Sequence, residues 1–189
     1  MKSAFSKLTN KKNGIHIFYS IEEIETYLND LVSFVLAGVE QGDHVLVIES
    51  EKIIPKLNEK LLPLLSDEQL TYIHTINNFD YYCLNGSFQP RVIFTNLSSA
   101  IKSFNKNNSS FRAWAHVEWA EQEGITAILE RFEREADNFV AENGLYIVCA
   151  YDDDRVPCSL KTTLMKYHEY VLTENRIIPS AIYEHTNTQ

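Results

Sequence analysis

Glycine is scarce in this chain, six in 189 residues, and those present form no phosphate-binding loop. The pattern G-x-x-x-x-G-K-[ST], in which backbone amides and a lysine cradle phosphates, appears nowhere. G-x-S-x-G, H-E-x-x-H and the dinucleotide-binding glycine pattern are missing too, so an enzyme is the least supported class. Cysteine is also sparse. Cys83, Cys149 and Cys158 are odd in number and lack C-x-x-C spacing, which argues against a disulfide framework and fits reduced thiols. Five prolines are scattered rather than gathered into a linker, so residues 14–189 are expected to form one domain, preceded by a flexible basic tail over 1–13. No apolar run reaches membrane-spanning length, and Met1–Gly14 has no secretory hydrophobic region, so a cytoplasmic protein with no membrane partner is expected. Positive charge is in deficit: 17 Lys and Arg against 26 Asp and Glu give a net charge of −9. That balance argues against nucleic acid as a direct partner. Lys2, Lys7, Lys11 and Lys12 are the one basic cluster.

What is present is an alternation of strands and amphipathic helices. Ile15–Tyr19 reads as a strand, and Ser20 with Glu23 reads as a capping box opening a helix that carries Ile21, Ile24, Leu28, Leu31 and Val35 on one face. Gly42 stops that helix, and Val45–Ile48 is a strand buried on both faces. Further segments are a helix over Ile53–Leu65, a strand over Thr71–Ile76, an aromatic-rich loop over Asn77–Pro90 and a helix around Val92–Phe104. They continue with a strand over Phe111–Trp119, a helix over Ile125–Ala141, a strand over Leu145–Tyr151, a long helix from Ser159 to about Glu174 and an edge strand over Ile177–Tyr183. This order predicts an α/β fold, three layers with a mainly parallel central sheet. Ligands of such sheets gather beyond the strand carboxyl ends, here near Tyr19/Ser20, Glu49/Ser50, Ile76–Asn78, Glu118/Trp119 and Tyr151/Asp152.

Three constellations bear on chemistry. At His16–Glu23 the strand runs into the helix with no room to loop around a phosphate, and Glu22, Glu23 and Glu25 already complement the helix dipole and would repel a triphosphate. NTP hydrolysis is therefore not expected. His16 is either a ligand contact or a histidine satisfied by backbone within the sheet. Along Phe111–Glu121, alternation puts Arg112, Trp114, His116 and Glu118 on one face. A buried Glu118 needs a partner; Arg112 or His116 can supply it, or Glu118 and a neighbouring Trp line a pocket. In Cys149–Arg155, the Asp152–Asp154 run lacks the alternate spacing and glycine of a calcium loop and reads as a solvated acidic loop. Cys149, Asp152, Cys158 and His168 match no common zinc spacing, so no metal site and no cofactor are expected.

These residues carry a family resemblance. His16 with Phe18-Tyr19, Phe34-x-x-x-Gly38-x-x-x-Gly42-Asp43, Glu118 followed by the helix with Phe132-Glu133, Cys149-Ala150-Tyr151-Asp152 and His168 resemble, in order and spacing from about Gly14 to Tyr183, the MEDS domain. The name stands for the sensory domain of methanogens, methylotrophs and the dichloromethane regulator. The resemblance implies a RecA/KaiC-like fold, with P-loop NTPase topology but no Walker A loop, and sensing of small molecules, suggested to be simple hydrocarbon derivatives. It makes His16, Tyr19, Glu118, Trp119, Cys149, Tyr151, Asp152 and His168 ligand-site candidates with no catalytic residue among them. The chain departs from the family pattern at His168-Glu169, where His-Pro is common, and at His116, so ligand identity is not carried over.

The expectation is a non-catalytic sensory or regulatory domain. It binds a small molecule at the strand ends and signals through a separate partner such as a histidine kinase or transcription regulator, since one core uses all of this length. The rival is a ligand-independent protein–protein adaptor. Exposed aromatics in Phe79–Phe88 would favour the adaptor, and a closed pocket around Glu118 and Tyr151 the sensor. The face of Lys161–Glu174 can pair two copies as a homodimer.

Overall fold

Strands rich in Val, Ile and aromatic residues alternate with helices of up to five turns, and they assemble into the expected three layers. The computed structural model describes residues 1–8, 14–83, 86–105, 110–173 and 176–184. In chain order the elements are α1 Lys2–Lys7, β1 Ile15–Ile21, α2 Ile24–Glu40, β2 His44–Glu49, α3 Ile54–Leu61, α4 Asp67–Leu70, β3 Ile73–Asn77 and α5 Asn78–Tyr82. They continue with α6 Pro90–Asn105, β4 Phe111–His116, α7 Ile125–Asn143, β5 Tyr146–Asp152, α8 Cys158–Met165, β6 Tyr170–Thr173 and β7 Arg176–Pro179. The sheet order is β3-β2-β4-β5-β1-β6-β7. Every neighbouring pair is parallel except β6 with β7.

The pleat sorts side chains between two cores. One face buries Ile17, Tyr19, Val45, Val47, Trp114 and Val148 beneath α2 and α3; the other buries Phe18, Leu46, Ile48, Ala115, Cys149 and Tyr151 with residues of α6, α7 and α8. Two glycines set the first layer. A Cβ on Gly38 would lie 2.6 Å from Val45 Cγ2 and 2.9 Å from Arg112 Cδ, so only glycine lets α2 lie this close to the sheet. Gly42, at φ +78°, turns the chain from α2 into β2. Beside it the Arg112 guanidinium, itself buried, is clamped by Asp43 and hydrogen-bonds Gln41 at 2.6 Å.

Several expectations are corrected. The basic start is not a flexible tail over residues 2–7: it forms α1, which anchors Phe5 edge-on to Phe34 and Trp114 and pairs Lys2 with Glu40 at 2.5 Å. Lys11 and Lys12 lie outside the described residues. Ser20 does not cap α2. It still belongs to β1, and Glu23 is the cap. The strand expected to reach Trp119 ends at His116. The long last helix stops at Met165, and the chain re-enters the sheet as β6, leaving His168 in the connection between them. Its apolar residues Val171 and Leu172 are buried as strand, a tertiary outcome that the helical spacing conceals. No described helix is long and apolar enough to cross a membrane.

Candidate functional site

The junction of β1 and α2 is built around an internal anion. Glu23 turns its carboxylate back onto the first turn of α2 and accepts hydrogen bonds from the amides of Glu25 at 2.9 Å and Thr26 at 2.6 Å. These amides, together with the positive end of the helix dipole, are what would otherwise receive a phosphate. The same bonds hold the Glu23 carboxyl below its ordinary range. A cleft of about 700 Å³ opens here beside the ends of β1 and β6, lined by Phe18, Tyr19, Ser20, Glu22, Asp30, Lys161, Met165 and Arg176 among others. Its size falls within the roughly 300–1,000 Å³ of small-molecule sites. Tyr19 donates to Asp30 at 3.2 Å, and Lys161 reaches Asp153 at 2.6 Å and Glu22 at 3.8 Å. Burial raises both the Tyr19 hydroxyl and the Asp30 carboxyl, so the cleft wall presents a neutral hydroxyl hydrogen-bonded to a carboxyl that gives up its proton reluctantly.

Deeper on the α2 side, polar groups at the strand ends are joined in series. Trp114 Nε1 donates to the Tyr27 hydroxyl at 2.9 Å, Tyr27 donates to Glu49, and Glu49 meets His116 Nδ1 at 2.8 Å. His116 Nε2 stands 3.2 Å from Asp152. Burial works against the His116 imidazolium, but Asp152 and Glu49 outweigh it and lift its pKa to about 10.

The opposite face holds a second cluster. His16 on β1, Cys149 on β5, Glu133 on α7 and His168 before β6 are all buried, and one ligating atom from each lies within 4.8 Å of the others. His16 Nε2 is 3.4 Å from Cys149 Sγ and 3.5 Å from Glu133 Oε2, and His168 Nε2 is 3.4 Å from the same oxygen. Tyr151 donates to the other oxygen of Glu133. Burial raises Glu133 and Cys149 and lowers His168. A narrow apolar crevice of about 30 Å³ adjoins His16 and Cys149, close to one water molecule's share of the liquid. Phe18 links the two regions, since it lines the cleft and packs edge-on to His168 at 5.6 Å.

The eight sequence candidates therefore divide. His16, Cys149 and His168 meet, with Tyr151 one contact behind; Tyr19 and Asp152 lie on the α2 side of the sheet. Glu118 and Trp119 form a third neighbourhood, where Arg155 donates to Glu118 at 2.6 Å and stacks over the Trp119 ring at 4.2 Å. Arg155, rather than Arg112 or His116, is thus the partner of Glu118. Of the four residues weighed as a zinc set, Asp152 and Cys158 stand apart from the cluster. Asp152 faces His116, and Asp153 is held by Lys161 and Ser20. Glu133 and Tyr27 join the site without having been expected there, and Glu49, expected only as one of the strand ends, proves to be the partner of His116. Glu133 leaves a signal in the sequence, a carboxylate within the apolar stripe Leu129, Phe132, Ala136 and Val140 of α7.

The family model described as MEthanogen/methylotroph, DcmR Sensory domain matches residues 15–169. An ATPase domain of known structure superposes with a TM-score of 0.58 at 12% identity, over 89% of this chain and 73% of that one, which shows a RecA-like fold and nothing finer. The flagellar accessory protein FlaH from Methanocaldococcus jannaschii gives a TM-score of 0.44 at 9% identity, over 87% of this chain and 75% of that one. No curated protein matches this chain by sequence.

Proposed function

This chain belongs to the MEDS family of sensory domains, and on that premise we propose that it is a non-catalytic sensor that binds a small molecule in the cleft beside β1 and β6 and passes occupancy to a separate signalling protein. The observation that carries the reading is Glu23: the helix end that would face a phosphate is filled by the chain's own carboxylate, while a ligand-sized cleft remains open next to it. Tyr19 and Asp30 offer a hydroxyl and a carboxyl, Lys161 and Arg176 offer cations, and Phe18 and Met165 offer apolar surface. That mixture suits a small, partly polar organic molecule better than a triphosphate. Signalling requires that the ligand bind one arrangement of α8 and the Asp152–Cys158 segment more tightly than another. Lys161 and Met165 sit on α8, so a ligand touching them bears on that element directly.

Thermal-shift titration of the full chain with MgATP, MgADP and a panel of small organic compounds tests the proposal. An organic compound should raise Tm, the shift should shrink in Lys161→Ala and Arg176→Ala, and MgATP should have no effect. Hydrolysis of MgATP, or stabilisation by a co-purified protein alone, overturns it. The second of those outcomes would support the adaptor reading, favoured by one observation: Ile76 and Phe79 are exposed beside the edge strand β3, although Tyr81, Tyr82 and Phe88 are buried.

A further inference from the structure

The two histidines of the buried cluster are oriented alike. His16 directs Nδ1 at the carbonyl of Tyr167, 2.9 Å away, and His168 directs Nδ1 at the carbonyl of Leu164, 2.8 Å away. A carbonyl only accepts, so each ring carries a proton on Nδ1, and the neutral ring presents an Nε2 lone pair. This is the tautomer of a metal-ligating histidine whose other nitrogen is held by the backbone. In the stacked arrangement, with centroids 3.9 Å apart, the two Nε2 lone pairs run side by side, so a shared cation turns the rings out of the stack as it binds. The Nε2 of His168 and the Oε2 of Glu133 have no hydrogen-bond partner, though both are buried and only 3.4 Å apart. Two acceptors at that distance in an apolar interior repel unless a proton or a cation lies between them.

Three of the six distances among the four ligand atoms fit a bound cation, and all lie within 4.8 Å. A tetrahedral site with metal–nitrogen or metal–oxygen bonds near 2.0–2.1 Å and a metal–sulfur bond near 2.3 Å has edges of about 3.3–3.6 Å between ligand atoms. The separations are 3.4 Å for His16 to Cys149, 3.5 Å for His16 to Glu133 and 3.4 Å for His168 to Glu133. We propose that His16 Nε2, His168 Nε2, Cys149 Sγ and Glu133 Oε2 form a four-coordinate site for a divalent transition metal of the zinc class.

Charge agrees with geometry: one thiolate and one carboxylate among the four ligands balance a divalent ion, and the buried Asp137 carboxylate stands behind them, 3.4 Å from His16 Nδ1. Sulfur and imidazole select this metal class over calcium or magnesium, which take oxygen. Binding releases the Cys149 thiol proton to solvent, so affinity rises with pH. Tyr151 holds the second oxygen of Glu133 and positions the carboxylate. The inference does not rest on the cleft, which no ligand atom of the site is needed to form.

Cobalt(II) is the probe. The purified full chain, stripped with a chelator and confirmed folded by circular dichroism, is titrated with Co²⁺ and then Zn²⁺ without oxygen. The expected result is one Co²⁺ per chain, with intense tetrahedral visible bands and a thiolate-to-cobalt charge-transfer band, all displaced by Zn²⁺. The double variant Cys83→Ser/Cys158→Ser, which leaves Cys149 as the one thiol, keeps the charge-transfer band, and Cys149→Ser loses it. Tyr151→Phe weakens binding about 10- to 100-fold, as outer-shell partners of metal ligands do. No tetrahedral spectrum in the folded chain, or a charge-transfer band absent from the double variant, overturns the proposal and leaves protons on Glu133 and Cys149 as what joins the four residues. Because the double variant does not touch the cluster, the test stands even if Cys149→Ser fails to fold. The spectrum reports the metal alone, so its failure leaves the cleft proposal standing, and the thermal-shift outcome leaves this one standing.

Discussion

His16 and His168 stack face to face, with ring centroids 3.9 Å apart and planes inclined by 27°, although they lie on opposite sides of the chain's length. The stack fastens the connection between α8 and β6 onto β1, since both Nδ1 atoms also bond to carbonyls at the end of α8 and in that connection. His168→Ala removes the stack and the hydrogen bond to the Leu164 carbonyl, which keeps the Tyr167 amide as a donor. The expected loss is about 2 kcal/mol or more, from the cavity and the lost hydrogen bond together, read by urea unfolding.

Arg112 and Asp43 are a buried pair between β4 and the end of α2. Removing one partner strands the other charge. Asp43→Ala should cost about 3–5 kcal/mol, and adding Arg112→Met should return part of that loss, because a buried ion pair is often replaceable by apolar groups but not by half of itself. Denaturant unfolding of the single and double variants gives both numbers.

His116 makes stability depend on pH. Burial opposes its charge, yet Asp152 and Glu49 more than compensate and raise its pKa from 6.5 to about 10, so the folded chain holds the proton more tightly than the unfolded one. Its contribution is complete below about 6.5, declines as pH rises and is lost through about pH 10. Tyr27 also faces the ring, at 5.8 Å, and stays protonated in that window because burial and Glu49 raise its hydroxyl. The stability difference between wild type and His116→Asn, measured from pH 6 to pH 10, should shrink steadily. A flat difference would contradict the charged ring.

Gly38→Ala and Gly42→Ala separate crowding from backbone strain. The first places a methyl group against Val45 and Arg112 and should cost about 1–3 kcal/mol. The second meets no atom within 4 Å but keeps a positive φ, which costs about 1–2 kcal/mol for a side-chain-bearing residue. Urea unfolding of the two variants reads both costs.

How much of this is legible in the sequence follows from the range over which each signal acts. The continuous apolar run at Val45–Ile48 and the stripe along α7 report burial locally, so the layered α/β order can be read from them. Val171 and Leu172 cannot be placed that way, because so short a segment fits either period and the sheet decides between them. At the site, residue type identifies His16, Cys149 and His168, but only folding shows that they meet. Glu133 joins them from another helix. The partner of Glu118 is misread because alternation continues past His116 in the sequence while the strand does not, and Arg155 arrives from the turn after β5. Phe5 is hidden by the lysines around it, since charge along a short terminal segment says nothing about one buried ring.

The most direct test of the cleft proposal is amide hydrogen exchange of the full chain, with and without an organic compound that raises Tm, and with MgATP. The compound is expected to protect amides within residues 20–26 and 161–173, the two walls of the cleft, and MgATP to protect neither. Protection of residues 20–26 by MgATP, or protection by the compound confined to segments away from both walls, would contradict a sensor that binds its ligand in this cleft.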